Sequence, residues 1–214
     1  MEISVEGKAT LFYTPDMVIM NFNFITKGNS YEEVLNIGVK NVESFINELL
    51  KKHGFTNEDL KTNNFIIKEE TKYNEDTHKY EFDGYYYNQN AVLKFEYDKE
   101  KMAEMMEDIS KLSNPPFYQI NFGLKDEEKV RKNILTLAYN DALKKAEIIS
   151  NASGYKLIRC LKTDFRPFTS EYLSQTSINP KMLSMDSVSQ NIMNIFTPME
   201  IEITEVLYCL WITE

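Results

Sequence analysis

The chain has 214 residues and a formal net charge of −9, a length that suits one domain or two small ones sharing a core. Its composition, 43% apolar and 27% charged, is that of an ordinary globular protein. The acidic excess argues against nucleic acid or an anionic membrane surface as the partner, because both attract Lys and Arg. No run approaches the roughly 20 apolar residues of a membrane span. We therefore expect neither nucleic-acid binding nor a membrane-spanning segment.

The beginning of the chain predicts two strands. Apolar and polar residues alternate over residues 3–11 and again over 17–26, which is the pattern of strands with one buried face. The turn Thr14-Pro15-Asp16 separates them. No basic stretch with an apolar core precedes the first strand. If Met1 is the native start, we expect a cytoplasmic protein.

A helix and a hairpin follow these strands. Ser30 and Glu33 form a capping box at the start of the helix, and Gly54 followed by Phe55 marks its end. The predicted buried stripe of this helix comprises Leu35, Val39, Val42, Phe45, Ile46 and Leu49. Strands near residues 62–73 and 84–97, joined by the polar residues 74–79, predict a long hairpin.

The second half of the chain predicts two further helices and three strands. Asp98 caps a shorter helix, which ends at Asn114-Pro115-Pro116. Its apolar positions are Met102, Met105, Met106, Ile109 and Leu112. Residues 118–124 alternate as a strand, and further strands are expected near 157–163 and 199–212. The whole pattern predicts an α+β fold of mostly antiparallel sheet, with two long helices and one shorter helix in the order β-β-α-β-β-α-β-α-β-β.

The longest predicted helix carries a seam of small side chains. Asp126 can cap it, and Gly154 can end it in the left-handed conformation. The seam consists of Ala138, Ala142 and Ala146, and it is extended by Ile134, Ile149 and Ala152. Residues four apart lie on one face of a helix, so this face lets another backbone approach closely.

Two segments are candidates for an interface. Residues 165–197 are polar, rich in Met and without sustained periodicity, so we expect an irregular arm that docks on its own domain or on a neighbouring subunit. The candidate contacts in this arm are Met182, Met185, Met193 and Phe196. The tyrosines at 85–87 are the second candidate. Tyr85, Tyr86 and Tyr87 suit an interface, but tyrosine is also an ordinary strand former.

The residues that usually carry catalysis do not form a recognisable pattern. The chain has no G-x-S-x-G, phosphate-loop, H-E-x-x-H or G-x-G-x-x-G motif. His53 suits the end of a helix, and His78 lies in a charged hairpin tip. We expect Cys160 and Cys209 to be buried thiols. A disulfide between them is possible only if their strands are neighbours. We predict no catalytic residue, no cofactor and no metal site, and hence no enzyme.

Taken in order, several short runs resemble the SIMPL domain family, which includes bacterial periplasmic and outer-surface antigens. The matching runs are residues 3–9, 14–16, 58–65, 84–85, 93–95, 122–126 and 138–157. The resemblance implies a single domain over residues 1–214, with an irregular arm at about 165–197. It also implies homo-oligomerisation and a stress-related role, and it brings no known reaction.

Two functions from different classes remain. The first is a non-enzymatic, homo-oligomeric scaffold or assembly module, whose partner is the chain itself. The second is a binding module for a small apolar or aromatic ligand held between sheet and helices, because Phe, Tyr and Met are abundant there. Oligomeric state and ligand-induced stabilisation distinguish the two.

Overall fold

The structure, a computed structural model, describes residues 1–165 and 197–214. In chain order its elements are β1 (Glu2–Tyr13), β2 (Met17–Gly28), α1 (Tyr31–Phe45, continued by a π-helical turn over Ile46–Leu50), β3 (Leu60–Asn74), β4 (Lys79–Glu96), α2 (Lys99–Ser110), β5 (Phe117–Gly123), α3 (Glu127–Ala152), β6 (Leu157–Asp164) and β7 (Ile201–Thr213). The α+β class and the predicted order of elements are confirmed.

Contacts along the chain divide it into two compact units. Unit 1 comprises Met1–Thr14, the described part of Asp126–Val188, and Met199–Glu214. Unit 2 comprises Pro15–Lys125 and the described end of Ser189–Pro198. The assignment of residues 1–214 to a single domain stays a prediction. Apart from its two end residues, the predicted irregular arm lies outside the described part of the chain.

Unit 2 is a four-stranded antiparallel sheet in the order β3-β4-β2-β5, with α1 packed on one face. Alternation along β2 turns Val18, Met20, Phe22 and Phe24 toward this face, where all four are buried. The ring of Phe45 from α1 lies 4.8 Å from Phe22 and 5.2 Å from Phe24 in edge-on geometry. Aromatic rings therefore fill the space between helix and sheet.

The start of α1 is confirmed, but its buried stripe differs from the prediction. Ser30 accepts a hydrogen bond from the Glu33 backbone N–H at 3.2 Å, as expected of the capping box. Val39, however, is exposed, and Gly38 is buried against the sheet. A Cβ on Gly38 would lie 2.6 Å from the Tyr87 ring. The buried face of α1 is rotated from the predicted one because the Tyr87 ring fills the space that a side chain at position 38 would occupy.

The predicted hairpin and shorter helix are both present in unit 2. Strands β3 and β4 are longer than predicted and are joined by a tight turn in which His78 has a φ of +52°. Asp98 accepts hydrogen bonds from two backbone N–H groups at the start of α2. The buried side chains of this helix are Met102, Ala103, Met105, Met106 and Ile109.

Unit 1 is a three-stranded antiparallel sheet in the order β1-β7-β6, with α3 packed against it. Asp126 caps α3, and Gly154 follows it with a φ of +72°, both as predicted. The buried seam comprises Ile134, Ala138, Ala142, Ala146 and Ser150. Ile149 and Ala152 are exposed, so their place in the seam was wrong. The four-residue spacing simply continues from Ala146 to Ser150, whose hydroxyl donates to the Tyr155 carbonyl.

The seam lets α3 lie unusually close to β1. A Cβ on Gly7 would stand 2.1 Å from the Ala138 carbonyl oxygen, a distance that no side chain can tolerate. At this distance the helix reaches the edge of β1 that no described strand pairs with. Asp141 accepts the Lys8 backbone N–H at 2.9 Å, and the Lys145 ammonium donates to the Glu6 carbonyl at 2.9 Å. Side chains of α3 thus close an edge that would otherwise be free to pair with another strand.

Candidate functional site

The hairpin of β3 and β4 extends past the rest of the unit 2 sheet. Strand β2 pairs with β4 only as far as Gly28 opposite Tyr85. The pairing of β3 with β4 continues beyond that point to Asn74 opposite Lys79. Residues 70–84 therefore form a two-stranded ribbon, which we call the projecting hairpin.

Aromatic side chains are exposed on the projecting hairpin. Tyr80 is 73% exposed, Phe82 58% and Tyr73 45%. The rings of Tyr73 and Tyr80 lie 5.3 Å apart in edge-on geometry. Such rings offer a large, rigid contact area with little loss of side-chain entropy on binding.

The turn of the projecting hairpin is held by polar side chains. Asn74 accepts backbone N–H groups from Asp76 and Thr77, and its amide donates to the Glu81 carboxylate at 3.0 Å. The Thr77 hydroxyl donates to the same carboxylate. Hydrogen bonds from Asn74 and Thr77 lower the pKa of Glu81, which keeps the carboxylate ionised as their acceptor. The rings are therefore carried on an ordered turn.

The three predicted tyrosines have different environments. Tyr86 is half-buried between the ammonium groups of Lys27 and Lys68, at 5.7 and 5.4 Å from its ring centre, and Tyr85 is half-buried beside the projecting hairpin. Tyr87 is fully buried in unit 2, so its assignment to an interface was wrong. Alternation turns it toward α1, where Gly38 makes room for its ring. The other candidates, Met182, Met185, Met193 and Phe196, lie outside the described residues.

A groove that sequence reasoning missed lies in the same unit. It has a volume of about 480 Å³, and amide side chains from four strands and the exposed Phe117 line it. The amides are those of Asn21, Asn23, Asn64, Asn90 and Gln119, together with Asn63. We call it the amide groove. Alternating Asn residues in β2 and β4 were the only signal in the sequence, and the register between strands is needed to bring them together.

Asp108, Cys160 and Cys209 serve structural contacts in the described part of the chain. Asp108 of α2 lies 2.7 Å from the Lys52 ammonium and 2.9 Å from His53 Nε2, and the hydrogen bond from Lys52 is the main cause of its lowered pKa. Cys160 and Cys209 lie on neighbouring strands as free thiols, and burial raises the pKa of Cys209 to about 11. Within residues 1–165 and 197–214, no group of three or more His, Cys, Asp or Glu is placed to hold a metal ion.

Comparison with known families settles the affiliation. A family model described as SIMPL, a protein of unknown function (DUF541), matches residues 3–206. The chain belongs to the SIMPL family. The match covers nearly the whole chain, so the resemblance seen in the sequence is confirmed. No curated protein matches this SIMPL chain. Among its described helices, none is long and apolar enough to cross a membrane.

Proposed function

We propose that this SIMPL protein is a non-enzymatic assembly module that binds further copies of itself through the projecting hairpin. The observation that carries the proposal is the exposure of Tyr73, Tyr80 and Phe82 on one ordered ribbon. A two-stranded hairpin without a covering layer is only marginally stable in water. Burying its rings against a partner would stabilise it, because each ring removes a large apolar area from water.

Charges on the projecting hairpin restrict how a second copy can bind. Both signs occur on the ribbon, and Lys72 lies opposite Glu81 across the two strands. In a contact between identical surfaces related by a two-fold axis, each lysine can face a carboxylate of the other copy. Residues 70–84 carry five acids and two lysines, so two ribbons repel each other unless both lysines face carboxylates of the other copy.

Light scattering on the purified full chain tests this proposal. We expect a mass above the 25.1 kDa of one subunit at high micromolar concentration. The double variant Tyr80→Ser and Phe82→Ser should shift the mass toward one subunit, because losing a central aromatic contact typically weakens binding by about 2 kcal/mol, or roughly 30-fold. Phe12→Ser is the matched control, since Phe12 is 60% exposed in unit 1. A monomeric wild type, or equal assembly of the double variant, would contradict the proposal.

The alternative, a binding module for a small apolar or aromatic ligand, has weaker support. The rings that would line a site between sheet and helix, among them Phe22 and Tyr87, are already buried against their neighbours. Close packing of this kind leaves little room for a ligand. Thermal unfolding with a panel of apolar compounds separates the two functions, since a bound ligand raises the unfolding temperature.

A further inference from the structure

The amide groove is built on the face of the unit 2 sheet opposite α1. Phe22 points toward α1, so its neighbour Asn23 points to the other face. The register places Asn64 opposite Asn90, Asn90 opposite Asn23, and Asn23 opposite Phe117. One row of side chains therefore crosses all four strands and is about 14 Å long at the usual strand spacing.

The row contains an amide oxygen that lacks a donor. Asn23 Oδ1 is inaccessible to solvent and has no hydrogen-bond partner among the described residues. Asn88 Oδ1, two positions along β4 from Asn90, is also buried without a hydrogen-bond partner among the described residues. A buried acceptor without a donor destabilises the fold by roughly 1–3 kcal/mol. A turn of the Asn23 side chain would bring this oxygen into the groove, where a ligand O–H could donate to it and remove the penalty.

The lining favours a ligand without charge. Among the described residues that line the groove there is no Lys, Arg, Asp or Glu. An ionic group placed here would lose its water without gaining a counter-charge. Each amide, in contrast, can accept from one hydroxyl and donate to another.

Phe117 adds an apolar surface at the end of the row. Its side chain is 75% exposed, so the ring is available to stack on a flat ligand. The two central strands of the row, β2 and β4, are each paired on both sides, so a peptide cannot add to the sheet at Asn23 or Asn90. A ligand with many hydroxyl groups and one apolar ring face matches both the amides and Phe117.

We propose that the amide groove binds a neutral carbohydrate, with sugar rings lying along Asn64, Asn90, Asn23 and Phe117. Hydroxyl groups would donate to Asn23 Oδ1 and accept from the amide N–H groups of the row, while the C–H face of one ring covers Phe117. The row is long enough for two sugar rings. The described lining has no acid or base aimed at a glycosidic bond, so we expect it to hold the sugar without cleaving it.

Calorimetric titration of the full chain tests the proposal. The probes are maltotetraose, cellotetraose and N-acetylchitotetraose, and sedimentation with insoluble cellulose and chitin distinguishes a free sugar from a polymer. We expect at least one to bind, with a dissociation constant on the order of 0.1–1 mM for a tetrasaccharide. Asn23→Ala, Asn90→Ala and Phe117→Ala should each weaken binding by roughly tenfold, which is the scale of one hydrogen bond or one ring contact.

The matched control is Asn36→Ala. Asn36 is an exposed amide on α1, on the other side of the sheet, and it does not line the groove. This variant should bind as the wild type does. Phe117→Ala guards against misfolding as an explanation, because its exposed side chain adds little to the fold. Absence of binding by every probe, or equal binding by wild type and the three groove variants, would overturn the proposal.

Discussion

The two units share a layout, a helix on one face of an antiparallel sheet, but they pack in opposite ways. In unit 1 the helix α3 meets β1 through Ala138, Ala142 and Gly7, so backbone contacts backbone. In unit 2 the helix α1 meets the sheet through the rings of Phe22, Phe24 and Phe45. Small side chains bring layers together, whereas rings hold them apart and fill the space between them.

The difference decides what the polar side chains can reach. In unit 1, Asp141 and Lys145 contact the backbone of β1 directly, because the helix is so close. In unit 2, Asp108 instead joins α2 to Lys52 and His53, at the end of the π-helical turn. In unit 1 the helix is therefore close enough for its side chains to bond the backbone at the edge of β1. In unit 2 the ionic contacts instead join one helix to another.

The largest effect is expected in unit 2, from Tyr87→Ala. The Tyr87 ring is fully buried against Gly38 and Phe65, so its loss leaves a cavity that a glycine cannot fill. We expect the free energy of unfolding to fall by about 4 kcal/mol in urea titrations. Tyr87→Phe is the control. It loses only the hydrogen bond to Gln89 and should lower the free energy by about 1 kcal/mol. A loss below about 1 kcal/mol for the alanine variant would show that ring packing does not dominate unit 2.

Gly7→Ala should have the next largest effect, in unit 1. The new Cβ would overlap the Ala138 carbonyl oxygen and the Ala142 backbone nitrogen, neither of which can rotate away. We expect a loss of about 3 kcal/mol in the same titrations. The control is Gly123→Ala in unit 2, where the nearest atom is the flexible end of Ile19 at 3.0 Å. A loss no larger than that of the control would contradict backbone contact as the basis of unit 1.

The smallest effects concern the two aspartates, Asp108 and Asp141. The Lys52 hydrogen bond lowers the pKa of Asp108, and the Lys145 hydrogen bond lowers that of Asp141. A lowered pKa means that the ionised carboxylate stabilises the fold above the unfolded value of about 4, and that this contribution is lost as the pH falls through the folded pKa. Asp108→Asn should therefore lower stability by about 1 kcal/mol at neutral pH and flatten its acid dependence.

Asp141→Asn provides the comparison with unit 1. The Asp141 side chain is 36% exposed, and solvent screens its ion pair, so we expect a loss below about 0.5 kcal/mol. Urea titrations at neutral pH and near pH 3 measure both variants. If the free energy of unfolding falls by the same amount between neutral pH and pH 3 in the wild type and in Asp108→Asn, the ionic contacts of Asp108 do not stabilise unit 2.

Much of the fold follows from short-range rules that can be applied to the sequence directly. The caps Ser30, Asp98 and Asp126 act on residues two or three positions away, so they can be recognised without the fold. The glycine stops Gly54 and Gly154 are local in the same way. The alanine seam follows from helical periodicity alone. The order of elements could therefore be predicted from the sequence alone.

Other features depend on residues that are distant in sequence. The buried stripe of α1 was misplaced at Val39 because Tyr87, on another strand, occupies the space beside Gly38. The exposure of Tyr80 and Phe82 depends on where β2 ends relative to β4. Neither fact can be obtained from periodicity, since each requires the pairing of strands.

The sequence by itself determined the elements, their order and the family, because capping, turn formation and periodicity act within a few residues. Only the tertiary structure decided which side chains share a surface. The amide row joins positions 23, 64, 90 and 117 from four strands. A shift of one residue in any of these pairings would turn an amide to the other face of the sheet, so register, which is set by the whole core, created the groove.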